Sequence, residues 1–136
     1  MTRTSVTLAL GMGLVLVAAG CGGGGGNNTP DMATPAPAKS WADVQGDMMT
    51  KGCLLMACHG KGTTASTLII DTTAGMEMAN YNLAKSKDIN TASPDQSLLL
   101  AKPLNTVMHT GGMQFLSTAD PIYQRWLGWI KNGAPF

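Results

Sequence analysis

The residues best suited to chemistry lie in one short segment, residues 53–60, which reads CLLMACHG. Its two thiols and its imidazole, Cys53, Cys58 and His59, can ligate a metal ion, and the thiols can also form a disulfide or thioethers. The only other histidine, His109, lies much later in the chain, in the loop sequence HTGG. The sequence thus places three possible ligands close together and a fourth far from them in a chain of 136 residues.

Two cysteines followed directly by a histidine resemble the attachment site of a c-type haem. There, the thiols take two vinyl groups of the porphyrin as thioethers and the histidine ligates the iron. The usual spacer between the cysteines has two residues, and here it has four, so the additional residues must bulge outward. The same residues leave two alternatives: a small Cys53–Cys58 disulfide loop, or a tetrahedral zinc site that adds His59 and His109 to the thiols.

The amino-terminal segment predicts that the chain is exported. Arg3 precedes an apolar run over residues 6–19, which is too short for a membrane span and typical of a signal-peptide core. The small residues that end at Cys21 resemble a bacterial lipobox. Residues 1–20 are therefore predicted to be a lipoprotein signal peptide and Cys21 the lipidated residue, with an ordinary secretory signal as the alternative. The expected location is the bacterial cell envelope, on the periplasmic or the cell-surface face.

Export constrains what the remaining thiols do. Once Cys21 is lipidated, Cys53 and Cys58 are left as a pair in an oxidising compartment, where idle thiols do not normally persist. The pair is expected to form a disulfide, a metal site or thioethers.

The mature chain is predicted to consist of a tether and one domain. Residues 21–39 are rich in glycine and proline and cannot bury enough apolar surface to fold, which predicts a disordered tether. Residues 40–136 are predicted to form the domain, mostly α-helical with long loops, because strand signals are nearly absent. With three Trp, two Tyr and two Phe, its hydrophobic core is small, and such domains usually need a disulfide, a metal or a cofactor for stability.

Charge and composition exclude some functions. Without Arg3 the chain carries eight basic and eight acidic side chains, with no basic cluster and no stacking aromatics beside one. These features exclude nucleic acid as a partner. Nothing resembles a nucleophile with its base or a paired acid and base, so the protein is not expected to be an enzyme.

Capping and breaking residues predict where the helices begin and end. Ser40, with Asp43 three positions on, resembles a capping box for a first helix that ends near Gly52. Residues 76–83 have weak helical character, residues 67–71 read as an extended stretch, and an apolar turn at 98–100 is ended by a proline. The last helix is the clearest. It is predicted to begin at Asp120 with a proline next and to end at Gly133, and its face with Trp126 and Trp129 is predicted to pack the core.

An ordered set of short motifs resembles a known family. The motifs are CHG at 58–60, LIID at 68–71, PDQSLL at 94–99, Tyr123, and WIKNGAP at 129–135. In this order they resemble the small c-type cytochrome domains of planctomycete and myxobacterial exported proteins, over residues 40–136. The resemblance implies an all-α, cytochrome c-like fold with its first and last helices packed together. It also implies long loops around one covalently attached haem c.

The same resemblance assigns roles to individual residues. It implies that Cys53 and Cys58 anchor the porphyrin and that His59 is the proximal iron ligand. The loop before the last helix would supply the second ligand. Many relatives carry a Met-Pro-Pro segment there, whereas this chain has the HTGG loop, so His109 is the predicted distal ligand and Met113 and Met108 are the alternatives, with an open sixth position as a third case. Two histidines would poise the haem at a lower potential than a histidine and a methionine.

The function expected from the sequence is that of a membrane-tethered c-type cytochrome, which carries single electrons between exported redox partner proteins. The alternative is a haem-free lipoprotein interaction module braced by the Cys53–Cys58 disulfide, or one that holds the Cys/His zinc site.

Overall fold

The structure, a computed structural model, describes residues 34–136. In this part of the chain the helices are Trp41–Thr50 (α1), Glu77–Lys87 (α2), Leu98–Ala101 (α3) and Pro121–Lys131 (α4), with a 3₁₀ turn at Pro94–Gln96. Helical residues make up 38% of it and no strand is present in it, which confirms the all-α class. The extended stretch at 67–71 contributes only an isolated parallel bridge between Gly60 and Ile70.

The predicted signal peptide, the predicted lipidation site Cys21 and most of the predicted tether lie outside the described residues. None of the described helices has the length and apolar character needed to cross a bilayer. At the end of the predicted tether, Ala38 is buried and its N–H donates to the carbonyl oxygen of Arg125 on α4 at 3.2 Å. Packing therefore begins slightly ahead of Ser40.

The end of α1 places the first cysteine. Gly52 has φ 73°, a conformation that favours glycine. The N–H groups of Gly52 and Cys53 donate to the carbonyl oxygens of Met49 and Met48, at 3.0 and 2.9 Å. These two bonds form a Schellman motif. The predicted stop at Gly52 is confirmed, and the motif sends the chain from α1 directly into the cysteine segment.

The capping box predicted at the start of α1 is wrong. Ser40 occupies the N-cap position, but its side chain makes no capping hydrogen bond. The carboxylate of Asp43 accepts instead from the backbone N–H of Lys39 at 2.7 Å. The helix still begins directly after Ser40, and its first residue, Trp41, is fully buried.

Helices α1 and α4 contact each other through their side chains. The rings of Trp41 and Trp129 are both fully buried, with centroids 6.1 Å apart. The carboxylate of Asp47 on α1 accepts from Arg125 Nη1 and from Trp126 Nε1, each at 3.0 Å. Trp126 and Trp129 both lie in the core, as predicted.

Helix α4 has the bounds that its sequence predicts. Asp120 Oδ1 accepts from the N–H groups of Ile122 and Tyr123, at 2.8 and 3.4 Å, and Pro121 is the first helical residue. Gly133 has φ 89° just beyond the end. The short α3 also forms as predicted, and Pro103 follows it. Helix α2, in contrast, extends to Lys87, four residues further than predicted.

Candidate functional site

A cleft of about 840 Å³ opens between residues 51–67 and the loop at 108–114. Its lining includes all four candidate ligands: Cys53, Cys58, His59 and His109. Two ammonium groups, of Lys51 and Lys102, also line it, and no carboxylate does. Pockets for cofactors and other small molecules commonly measure about 300–1,000 Å³, so the cleft has the size of a ligand site.

The segment between the two cysteines bulges outward. The N–H of Cys58 donates to the Leu55 carbonyl oxygen at 2.9 Å, and the N–H of His59 donates to the Cys53 carbonyl oxygen at 3.1 Å. Leu55 and Met56 project to the surface, with 63% and 73% of their area exposed. The spacer of four residues is accommodated by this outward bulge, which is the arrangement that its length predicts.

His59 is fixed by hydrogen bonds on one side of its ring. Its Nδ1 lies 2.9 Å from the carbonyl oxygen of Leu68 and 2.8 Å from Ser66 Oγ. Because a carbonyl oxygen can only accept, Nδ1 must carry the proton. Nε2 then keeps a free lone pair and is the nitrogen available to a metal.

His109 is held in the same manner. Its Nδ1 lies 2.9 Å from the carbonyl oxygen of Gly112, so this ring also carries its proton on Nδ1 and leaves Nε2 free. The two glycines of the loop have different roles. Gly112 has φ 72°, whereas a Cβ on Gly111 would lie 3.1 Å from Cε1 and 3.3 Å from Nε2 of His109. The loop thus needs one glycine for its backbone conformation and the other for close approach to the ring.

The two imidazole rings lie close together in the cleft and are nearly parallel. The ring centroids of His59 and His109 are 5.9 Å apart and their planes are inclined by only 22°. Of the alternative distal ligands, Met108 lines the cleft but is 89% exposed, and Met113 is not part of the lining. His109 is therefore the best positioned of the three to act opposite His59.

The two cysteines are half-buried free thiols. Burial raises the pKa of the Cys53 thiol above its ordinary value, and the nearby Cys58 raises it further, partly offset by Lys51. Within residues 34–136, no three His, Cys, Asp or Glu side chains converge closely enough to hold one ion. Among these residues, no three of the four ligands of the alternative zinc site lie close enough together to share an ion.

The extended segment that carries the Leu68 carbonyl is anchored at its other end. Asn80, buried on α2, accepts from the backbone N–H of Asp71 at 3.0 Å and donates to its carbonyl oxygen at 2.8 Å. The Asp71 carboxylate in turn accepts from Thr73 Oγ1 at 2.6 Å and pairs with Lys61 Nζ at 2.9 Å. These bonds hold in place the segment that orients His59.

We expect Thr73→Val to remove part of the stabilisation that the Asp71 carboxylate supplies above pH 3.8. Hydrogen bonds from Thr73 and then Lys61 lower the pKa of Asp71 from 3.8 to about 2. A lowered folded-state pKa stabilises the protein above pH 3.8, and that stabilisation is lost as the pH falls toward about 2. Without the Thr73 hydroxyl, NMR titration should give an Asp71 pKa closer to 3.8, so the variant should be less stable than the wild type above pH 3.8 and should lose less stability as the pH falls toward about 2.

Thr72→Val is the matched control, because Thr72 is the exposed neighbour. The control should leave the Asp71 titration unchanged. An Asp71 pKa that stays at about 2 in Thr73→Val would show that the hydroxyl is not the cause.

Ser66 and Asn80 are the site residues that the sequence did not indicate. Ser66 contacts the ring of His59 directly, and Asn80 acts on the segment behind it. Each bonds to backbone atoms of a loop, and such contacts have no spacing or periodicity by which a sequence could reveal them.

Comparisons with protein-family models, with curated proteins and with solved structures found no match.

Proposed function

We propose that the protein is a c-type cytochrome, tethered to the bacterial cell envelope through lipidated Cys21, that carries single electrons between exported redox partner proteins. The observation that carries this proposal is the pairing of His59 and His109 across one cleft. Each ring has its Nδ1 bonded to a carbonyl oxygen and its Nε2 free. Two ring nitrogens on opposite sides of one iron are a ligand set of haem proteins that transfer electrons.

The chemistry of the cleft also fits a haem, which is a large flat apolar ring with two carboxylates. Leu55, Ala57 and Met108 supply apolar lining. Lys51 and Lys102 supply positive charge that suits the carboxylates. Both ammonium groups already contact a carboxylate of the protein, at 3.3 and 3.5 Å. These distances are long for a charged hydrogen bond, so each ammonium group can still donate to a further carboxylate.

The cysteines would attach the ring without any oxidant. Each thiol adds across one vinyl double bond, so that the sulfur bonds to one carbon and the thiol hydrogen goes to the other. Cys53 and Cys58 both line the cleft as free thiols, which is the state that this addition needs. His59 follows Cys58 directly and would ligate the iron on the same side as the attachment.

The bound haem supplies an iron that is oxidised and reduced by one electron. The protein would contribute ligands that hardly move when the charge on the iron changes. His59 is fixed by Leu68 and Ser66, and His109 by Gly112, through bonds of 2.8–2.9 Å. Such outer partners fix the tautomer and the orientation of a ligating histidine.

The test is to produce the full chain with a c-type haem maturation system and to record its optical spectrum. We expect a Soret band that remains with the protein after acid–acetone extraction, as covalent attachment requires. The double variant Cys53→Ala/Cys58→Ala should lose its haem to the solvent. Met56→Ala, a change at an exposed residue of the same loop, should retain it.

Two other results would contradict the proposal. A colourless, folded protein with a Cys53–Cys58 disulfide would favour the haem-free module. A colourless protein with one bound zinc would favour the Cys/His metal site, and would require the cleft to close so that His59 and His109 approach the thiols.

A further inference from the structure

Ser66 makes a contact with His59 that metal ligation by itself does not require. Its Oγ lies 2.8 Å from His59 Nδ1 and accepts from the backbone N–H of Leu68 at 3.1 Å. Ser66 is half-buried and lines the cleft beside the ring. A serine in a loop would be expected to bond to water, so its position against a ligand histidine needs a physical explanation.

Two oxygens share the single proton on His59 Nδ1. The carbonyl oxygen of Leu68, at 2.9 Å, fixes the proton there, because it cannot donate to an unprotonated nitrogen. The Ser66 hydroxyl must then accept as well. Its two lone pairs take the His59 N–H and the Leu68 N–H, and its own hydrogen remains free. Ser66 and Leu68 thus support each other as well as the ring.

We propose that Ser66 is a positioning residue that, with the Leu68 carbonyl, keeps His59 in the Nδ1–H tautomer and strengthens electron donation from Nε2 to the iron. Outer acceptors on a ligating histidine raise its basicity and fix its orientation. A stronger donor favours oxidised iron and lowers the reduction potential. The effect on the potential rests on the proposed function, whereas the effect on the tautomer does not.

The first test is the potential of the holoprotein with Ser66→Ala. Loss of an outer partner commonly changes metal affinity about 10–100-fold. We expect about a tenfold smaller preference for oxidised over reduced iron, which for one electron is an upward shift of about 59 mV in a potentiometric titration. Ser66→Thr keeps the hydroxyl and should keep the original potential.

The second test follows the ring proton itself. Nitrogen NMR should show His59 protonated at Nδ1, and Ser66→Ala should make that proton exchange faster with water, because the proton loses its second acceptor. Ser86→Ala is the matched control, because its hydroxyl donates to Leu83 on α2 and does not line the cleft. A role limited to stability would change the melting temperature and leave both readouts unchanged.

Each outcome decides the proposal. An unchanged potential with unchanged proton exchange in Ser66→Ala overturns it, and so does a Ser66→Thr protein that behaves like the alanine variant. If Ser66→Ala does not fold, Ser66→Thr alone provides the test. If the wild-type protein carries no haem, the proposed function fails, and the ring measurement on the haem-free chain still shows whether Ser66 holds the tautomer.

Discussion

Replacing His109 with alanine is expected to convert a low-spin haem spectrum into a high-spin one while the haem stays covalently bound. His109 is the candidate distal ligand, and its ring is held in place by a hydrogen bond from Nδ1 to the carbonyl oxygen of Gly112 at 2.9 Å. In the proposed haem protein, its removal would leave His59 as the only protein ligand of the iron, whereas the thioethers to Cys53 and Cys58 would be untouched. Optical and magnetic resonance spectra of the purified holoprotein measure the change.

Met108→Ala and Met113→Ala are the controls for this prediction. Both side chains are more than half exposed, and Met113 lies outside the cleft lining, so both variants should stay low-spin. A low-spin spectrum in His109→Ala would transfer the ligand role to one of these methionines. A further variant, His109→Met, should keep two ligands on the iron but raise the reduction potential, because a thioether would replace the second imidazole.

Gly60→Ala is expected to destabilise the protein by about 1–3 kcal/mol, the usual cost of overpacking a tight site. A Cβ on Gly60 would lie 2.5 Å from the carbonyl oxygen of Leu54 and 3.0 Å from that of Leu55. Both obstacles are backbone atoms of the loop between the cysteines, so a side-chain rotation cannot relieve the clash. The loop must open, which displaces His59 and lowers the yield of attached haem. The free energy of unfolding in urea and the haem content measure the two effects.

Gly46→Ala is the matched control for the same substitution. Gly46 lies within α1, and a Cβ there would meet nothing within 4 Å. Alanine is preferred to glycine in a helix interior by about 0.5–1 kcal/mol, so this variant should be more stable than the wild type. A Gly60→Ala protein as stable as the wild type would show that the loop can rearrange freely.

The sequence predicts helix ends well where the signal is local. The bounds of α4 follow from Asp120, Pro121 and Gly133, and all three act through neighbours in the chain. The start of α1 after Ser40 also follows from its sequence, but the capping hydrogen bonds do not, because the Asp43 carboxylate accepts from the Lys39 N–H instead. The extent of α2 was underestimated because few apolar residues mark its buried face.

In the candidate site, too, some features have a local sequence signal and others do not. Cysteine and histidine have few common uses, so Cys53, Cys58, His59 and His109 could be recognised from their residue types and neighbours. The partners that orient the rings could not, because most of them are carbonyl oxygens, which every residue possesses. The glycine pair of the HTGG loop lies between these cases. Adjacent glycines permit close approach or a positive φ, and the structure assigns approach to Gly111 and φ to Gly112.

The Schellman end of α1 has a consequence for how the protein matures. It places Cys53 just beyond the carboxyl end of a helix, where the helix dipole disfavours negative charge, and burial there raises the pKa of the thiol. Disulfide formation begins with attack by a thiolate. A Cys53 thiol that stays protonated is therefore a slow attacking group. In the proposed exported cytochrome, this property would slow the first step by which Cys53 could form a disulfide with Cys58.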